Sequence, residues 1–266
     1  MYLVFQFDSN DALQPILVEL QKHDIAFQIQ QTETKQELWI ADQAYIDPVL
    51  LLCEQFAEQK KRTLSIKNLK DTPVIFLLLI FTALSAFFTQ LGDSNQQYFF
   101  IAHMIFDPRS WQLYQGIELA WHSISPIFLH FGIEHVIFNS LMFWYLGSLL
   151  ERLLGHVHVF VLIILLALCS NYAQLFMSGP LFGGLSGVVY GLMMFAFCYQ
   201  FFIKPLFLPK GLFYVAIVWL LLGLTPVFPY LGLGNMANTA HISGVLAGLT
   251  YFIVFKLLAL RGKHEY

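Results

Sequence analysis

Residues 182–191, FGGLSGVVYG, open an apolar run long enough for a membrane helix, yet they set one hydroxyl, Ser186, between glycines. A serine in such a run commonly bonds back to a carbonyl one turn earlier, and a row of small residues commonly means packing alone. Chemistry becomes the better reading only if other polar side chains reach the same depth. Whether they do depends on how the rest of the chain is laid out.

The 266 residues are 58% hydrophobic and 12% charged, with a mean hydropathy of +0.64. That is more apolar surface than a soluble domain of this size hides, so a membrane protein is expected. The formal net charge is -3 and the 14 Lys and Arg form no stripe with interleaved aromatics, which argues against a nucleic-acid partner. Cys53, Cys169 and Cys198 are odd in number and lack CxxC spacing, the pattern of neither a disulfide framework nor a zinc knuckle. The N-terminal MYLVFQFDSND has no basic region ahead of an apolar one, so it does not read as a cleavable signal, and targeting falls to the first span.

Residues 1–66 are polar and patterned as a small α/β domain in the order β-α-β-β-α. VFQF alternates as a strand, and DALQPILVELQKH has helical periodicity, with Ser9, Asn10 and Asp11 as capping candidates. IAFQIQQ and ELWIA read as strands around the turn TETKQ, and DPVLLLCEQFAEQKK reads as a helix with Asp47 near its cap and Pro48 in its first turn. Residues 67–72 continue a basic linker. From 73 to 266 six apolar spans are expected near 73–91, 133–150, 157–177, 185–203, 211–228 and 237–257, each about 20 residues as a bilayer requires. The connection from Gly92 to Gly132, rich in Trp, Phe, Tyr and His, reads as an interfacial loop. The fold class is thus an all-α polytopic membrane protein preceded by a small α/β domain.

Lys and Arg orient it. With the N-terminal domain cytoplasmic, the inner side holds Lys60, Lys61, Arg62, Lys67, Lys70, Arg152, Lys204, Lys210, Lys256, Arg261 and Lys263, against Arg109 alone outside. That asymmetry places both termini in the cytoplasm. Spans two, four and six then all run inward, and a helix rises about 1.5 Å per residue. His135 and Asn139 fall in the first turns of span two, Ser186 at the outer end of span four, and His241 about one turn into span six. Four polar side chains from three helices share one depth.

Small residues supply the proximity. Gly183, Gly187 and Gly191 on span four and Ala240, Gly244 and Gly248 on span six form small-xxx-small rows that let backbones approach. Proton transfer between a hydroxyl and an imidazole needs about 2.6–3.2 Å between heavy atoms, closer than bulky interface residues permit. Tyr190, four residues after Ser186, shares its face and is placed to stack on His241. Ionisable groups within a span are costly and tend to be functional, which favours chemistry for His241.

These residues carry a family resemblance. GLSGVVYG (184–191), MANTAHISGVLAG (236–248) and HFGIEHVIFN (130–139) resemble the serine, histidine and second-helix motifs of the rhomboid intramembrane proteases, in the same order and topology. The resemblance implies a six-helix rhomboid bundle of the bacterial type with a cytosolic N-terminal domain, in a cell inner membrane. It implies Ser186 as nucleophile and His241 as general base, without an acid to orient the imidazole, and Tyr190 holding the ring. It implies an oxyanion hole of His135, Asn139 and the Ser186 N–H, Gly184 keeping the adjoining loop narrow, and His130 helping to hold water. Glu151, Arg152 and Gly155 match the family pattern after the second span in a structural role. One departure stands at Trp121-His122, where rhomboids commonly carry Trp-Arg, the arginine pinning the outer loop. No cofactor or metal is implied, and the expected partners are transmembrane protein substrates and the bilayer. The N-terminal domain is open to three roles, namely homodimerisation, positioning of the linker, or assistance to folding. The fifth span, with Phe213, Tyr214 and Trp219, is the expected lateral gate.

Three other classes compete. A catalytically silent rhomboid-like protein that binds membrane clients typically lacks the serine or histidine, and both are present. A membrane zinc protease could draw on His103, His122, His130 and His135, but HExxH is missing: Glu134 directly precedes His135 and no second histidine follows at the required spacing. A metal transporter would set carboxylates or histidines near the midplane, and spans three, four and five offer none.

Overall fold

Alternation of apolar and polar residues dictates the fold of the first part of the chain, whose coordinates are those of a computed structural model. The structure describes all residues except 10–12, 65–70, 95, 96, 98, 101–115, 204, 205, 207, 231–235 and 262–266. The described chain forms two compact units, Met1–Lys67 and Asn68–Tyr266.

In the first unit, β1 (Tyr2–Asp8), β2 (Phe27–Gln31) and β3 (Lys35–Ile40) form an antiparallel sheet in the order β1-β3-β2. The central strand turns Leu38 and Ile40 to the interior, two residues apart as the pleat requires. Helix α1 (Gln14–Lys22) covers them with Ile16 and Leu20, and α2 (Ile46–Leu64) with Val49, Cys53 and Phe56, all buried at helical spacing. The capping expectation for α1 does not hold at Ser9: the cap position is Leu13, which makes no side-chain cap bond. Asn10 and Asp11 lie outside the described residues, as does most of the basic linker.

The second unit is a bundle of apolar helices, and the chain is a polytopic membrane protein. Its helices are α3 (Pro73–Phe88), α4 (Ile117–Ile124), α5 (Ile133–Leu154), α6 (His156–Ser178), α7 (Ser186–Phe202), α8 (Lys210–Gly223), the single turn α9 (Val227–Tyr230) and α10 (Asn238–Arg261). Among the described residues, α6 and α10 are by themselves long and apolar enough to span, α5 qualifies with the bent segment before it, and α3, α7 and α8 are shorter apolar helices. The expectation of about 20 residues in every span therefore fails for those three, which have 16, 17 and 14. Two of them are bounded by a turn of the backbone. Gln90 and Leu91 take positive φ just after α3, and Gly184, at φ +117°, makes α7 begin only at Ser186.

The end of the long connection is helical and buried, not an open loop. Beyond α4 the chain forms a 3-10 turn, Ser125–Phe128, and the whole stretch from Ser125 to His130 is buried. Asn171 of α6 holds it there: its amide donates to the carbonyls of Ser123 (2.9 Å) and Ile124 (3.2 Å), satisfying acceptors at the α4 C-terminus that have no partner within the helix. The bundle is joined at its other end by Glu151 on α5, whose buried carboxylate accepts from the first amides of α3, Val74 (2.9 Å) and Ile75 (3.0 Å), and lies 2.8 Å from His156 Nδ1. A carboxylate at a helix N-terminus meets both unpaired N–H groups and the positive end of the helix dipole.

Candidate active site

Helices α5, α7 and α10 begin at the same end of the bundle, so early residues of each meet. Ser186 is the first residue of α7, His241 the fourth of α10, and His135 and Asn139 the third and seventh of α5. Glycines bring α7 and α10 together. A methyl group on Gly244 would collide with the Gly187 carbonyl, one on Gly248 with the Gly191 carbonyl, and one on Gly187 would lie 3.1 Å from the Ala240 carbonyl. Only hydrogen on these Cα atoms permits the approach. Its result is a 2.8 Å contact between Ser186 Oγ and His241 Nε2, inside the range for proton transfer.

That bond sets the protons on the ring. For the Ser186 hydroxyl to donate to Nε2, a neutral His241 carries its proton on Nδ1. His241 Nδ1 is buried and has no hydrogen-bond partner among the described residues, so no carboxylate orients the imidazole. Orientation comes from packing. The Tyr190 ring stacks on His241 with centroids 4.7 Å apart and planes 29° apart, while its hydroxyl donates to the Ala216 carbonyl of α8 (2.9 Å).

The loop ahead of Ser186 forms the other wall. Gly184 N donates to the Pro126 carbonyl (2.9 Å), and a methyl group on Gly184 would come within 2.7 Å of His135 Nε2 and 3.4 Å of Asn139 Nδ2. Both side chains therefore face the backbone two residues from Ser186. The Phe131 N–H approaches His135 Nδ1 at 3.5 Å, which leaves the proton of a neutral His135 on the Nε2 that faces Gly184. Asn139 Nδ2 is buried and has no partner among the described residues, so its N–H groups are likewise unspent. His130 is fully buried behind His135, ring centroids 4.9 Å apart, with Nδ1 3.1 Å from the Phe128 carbonyl.

The structure thus brings Ser186, His241, Tyr190, Gly184, His135, Asn139 and His130 into one cluster. Of the other histidines, His122 is buried on α4 and His103 lies outside the described residues. Among the described residues no three His, Cys, Asp or Glu side chains are arranged to hold a metal ion. Three supporting residues were not singled out from the sequence. Gln174 on α6 accepts from the Ala240 amide (3.0 Å), beside His241; Asn171 holds α4; and Asn238 donates to the Gly223 carbonyl at the end of α8 (2.6 Å). The signal was available for two of them, since Asn171 and Gln174 are buried amides three residues apart in an otherwise apolar span.

A polytopic bundle with a serine and a histidine from different helices in hydrogen-bond contact points to the intramembrane protease families. The Rhomboid domain family model matches residues 118–257, more than half of the chain, and the chain belongs to the rhomboid family. Within it the likeness is to the GlpG type. The Rhomboid protease GlpG of Serratia proteamaculans (strain 568) is 44% identical over 133 residues, 48% of this chain and 46% of that protein. The Rhomboid protease GlpG proteins of Salmonella newport (strain SL254) and Salmonella typhi are each 40% identical over 144 residues, 52% of this chain and 50% of theirs. The chain thus spans about half the length of the curated relatives it matches.

Proposed function

We propose that this protein is an active intramembrane serine endopeptidase that cleaves transmembrane segments of other membrane proteins through a Ser186–His241 dyad. The observation that carries the proposal is the 2.8 Å contact between Ser186 Oγ and His241 Nε2, made across two helices whose glycines allow it. His241 removes the hydroxyl proton as Ser186 attacks the scissile carbonyl, then returns it to the leaving amine, breaking the peptide C–N bond and leaving an acyl ester on Ser186. Water, deprotonated by the same imidazole, hydrolyses the ester. The oxygen of the tetrahedral intermediate is stabilised by the Asn139 amide, the His135 Nε2–H and the Ser186 N–H, and the first two side chains face Gly184.

A helical substrate keeps its carbonyls in i to i−4 bonds, so it must unwind before attack, which favours small or helix-breaking residues near the cleaved bond. With Lys and Arg gathered on one side, the site lies toward the outer face of a cell inner membrane and both termini are cytoplasmic. The domain boundaries follow the same logic, with residues 1–66 cytoplasmic, 67–72 a linker and 73–266 the protease. The test is cleavage of a reporter transmembrane substrate by the purified protein beside Ser186→Ala, with and without EDTA. Cleavage that is lost in the variant and indifferent to EDTA is the expected outcome. A correctly folded parent protein that cleaves nothing would make it a client-binding rhomboid-like protein, and loss of cleavage in EDTA would make it a metalloenzyme.

A further inference from the structure

Ser186 is flanked on two sides, and one span touches the supports of both. On the base side, Gln174 of α6 accepts from the Ala240 amide at 3.0 Å, beside His241. About one turn away on the same helix, Asn171 donates both hydrogens of its amide, to the carbonyls of Ser123 (2.9 Å) and Ile124 (3.2 Å). Residues three apart are neighbours on a helix surface, so α6 presents the two amides together. Asn171 is 5% exposed in an apolar span, a placement that is costly unless its amide finds partners.

Its neighbour strengthens the grip. Ser123 Oγ donates to the Leu119 carbonyl (2.7 Å), which leaves the Tyr172 hydroxyl, 2.8 Å from the same oxygen, as the donor of that pair. Three bonds therefore fix the C-terminal end of α4 to α6. Trp121 and Ser125 make two more, to the carbonyls of Phe99 (2.8 Å) and Phe100 (3.0 Å), but these tie α4 only to the connection it belongs to. Asn171 and Tyr172 tie it to a membrane helix. The departure at His122 adjoins Ser123, so the grip sits where this chain differs from the rhomboid pattern.

From there a short path leads to the site. Pro126 follows Ile124 by two residues, in the buried 3-10 turn, and its carbonyl accepts from Gly184 N at 2.9 Å. Gly184 in turn faces His135 and Asn139 and precedes Ser186 by two residues. A glycine has wide backbone freedom of its own, and the Pro126 bond narrows it.

We infer that Asn171, aided by Tyr172, is a positioning residue for the oxyanion side of the site: it holds α4 to α6 and, through Pro126, holds the Gly184 loop opposite His135 and Asn139. The inference rests on the protease reading and adds to it a residue that acts without touching the reacting atoms. Loss of the grip lets the loop drift from the two donors while Ser186 and His241 stay in contact, because the glycine seam between α7 and α10 does not pass through α4. kcat then falls and substrate affinity is kept.

The test uses the full chain in lipid nanodiscs with Asn171→Leu, which keeps the volume and removes both donors, and Tyr172→Phe, which keeps the ring and removes the hydroxyl. Cleavage of a reporter transmembrane substrate gives kcat and KM. Amide hydrogen exchange, in a Ser186→Ala background, is read over residues 182–185 and 238–242. Asn171→Leu is expected to lower kcat about tenfold with KM changed less than about twofold. It should raise exchange at 182–185 about three- to tenfold, the weight of one interhelical hydrogen bond, with 238–242 unaltered. Tyr172→Phe moves the same quantities in the same direction by less, and decides the matter alone should the leucine variant not fold. Unaltered exchange at 182–185 would overturn the path from α4 to Gly184. An equal rise at 238–242 would show a general loosening of the bundle, and raised exchange with kcat unchanged would show a role in stability only; either overturns the positioning. A raised KM at constant kcat would overturn it too, placing Asn171 in substrate binding. A parent protein that neither cleaves the reporter nor reacts with a small fluorophosphonate would sink the protease reading instead, while exchange would still decide the grip.

Discussion

Gly184 carries more of the site than its size implies. Its φ of +117° belongs to the region that side chains disfavour, and the space a Cβ needs is taken by His135 Nε2 at 2.7 Å. Gly184→Ala should therefore displace the two donors facing it and lower kcat at least tenfold while the helices remain folded, a combination checked by kinetics beside circular dichroism. On the proposed mechanism Asn139→Ala removes one oxyanion donor. Such a loss typically lowers kcat by about 10²–10³, and here KM should change far less, because the bond is made in the transition state. The polar atoms of this cluster were legible in the chain, since serine, histidine and asparagine stand out in apolar spans. The strain at Gly184 was not, because the sequence of a glycine pair does not say which member takes positive φ.

At the scale of elements, the seam between α7 and α10 is made of backbone. Gly244 and Gly248 face the carbonyls of Gly187 and Gly191, so a single methyl group must push the helices apart. Gly244→Ala is expected to lower the melting temperature and kcat together, because separating the helices also draws His241 from Ser186. A thermal scan and a progress curve on one preparation test the pairing. The opposite end of the bundle depends on Glu151. Glu151→Ala leaves the amides of Val74 and Ile75 without their acceptor, at a cost of roughly 1–3 kcal/mol for a buried donor, and should lower thermal stability without altering KM. Gly187, Gly191, Gly244 and Gly248 and the helix order could be read from spacing; Gly183, read as part of the same row, instead lies ahead of α7 against Leu129. The shorter lengths of α3, α7 and α8 could not, because apolar composition runs on past the point where the backbone turns.

For the whole molecule, the two units make different demands on the chain. The first unit hides its core among α1, α2 and the sheet, and Cys53 lies within it. Burial, with a smaller contribution from Glu54, pushes the Cys53 thiol up from 9.0 to about 12. The thiolate is the reactive form, so alkylation at pH 8 should be about a thousandfold slower than for a free thiol until the unit unfolds, as peptide mass spectrometry would reveal. The sign for stability follows. The fold favours the neutral thiol, so this group costs nothing below pH 9.0 and destabilises the unit increasingly as pH rises from there toward about 12. A denaturant midpoint that failed to fall between pH 9 and 11 would contradict the buried placement.

By itself the sequence determined the class of protein, the order of its apolar helices, and which polar residues stand within them. Composition and hydrophobic period depend on local order along the chain, and polar atoms are conspicuous against an apolar background. What only the tertiary structure decided was contact: the 2.8 Å between Ser186 and His241, the positive φ of Gly184, the capping of α3 by Glu151 and the hydrogen bonds of Tyr190 and Asn238 to α8. Each joins atoms from segments distant in the chain or depends on one backbone torsion. Side-chain spacing marks which residues can meet but not the contact itself; the dyad contact follows from how closely the glycines let α7 and α10 pack.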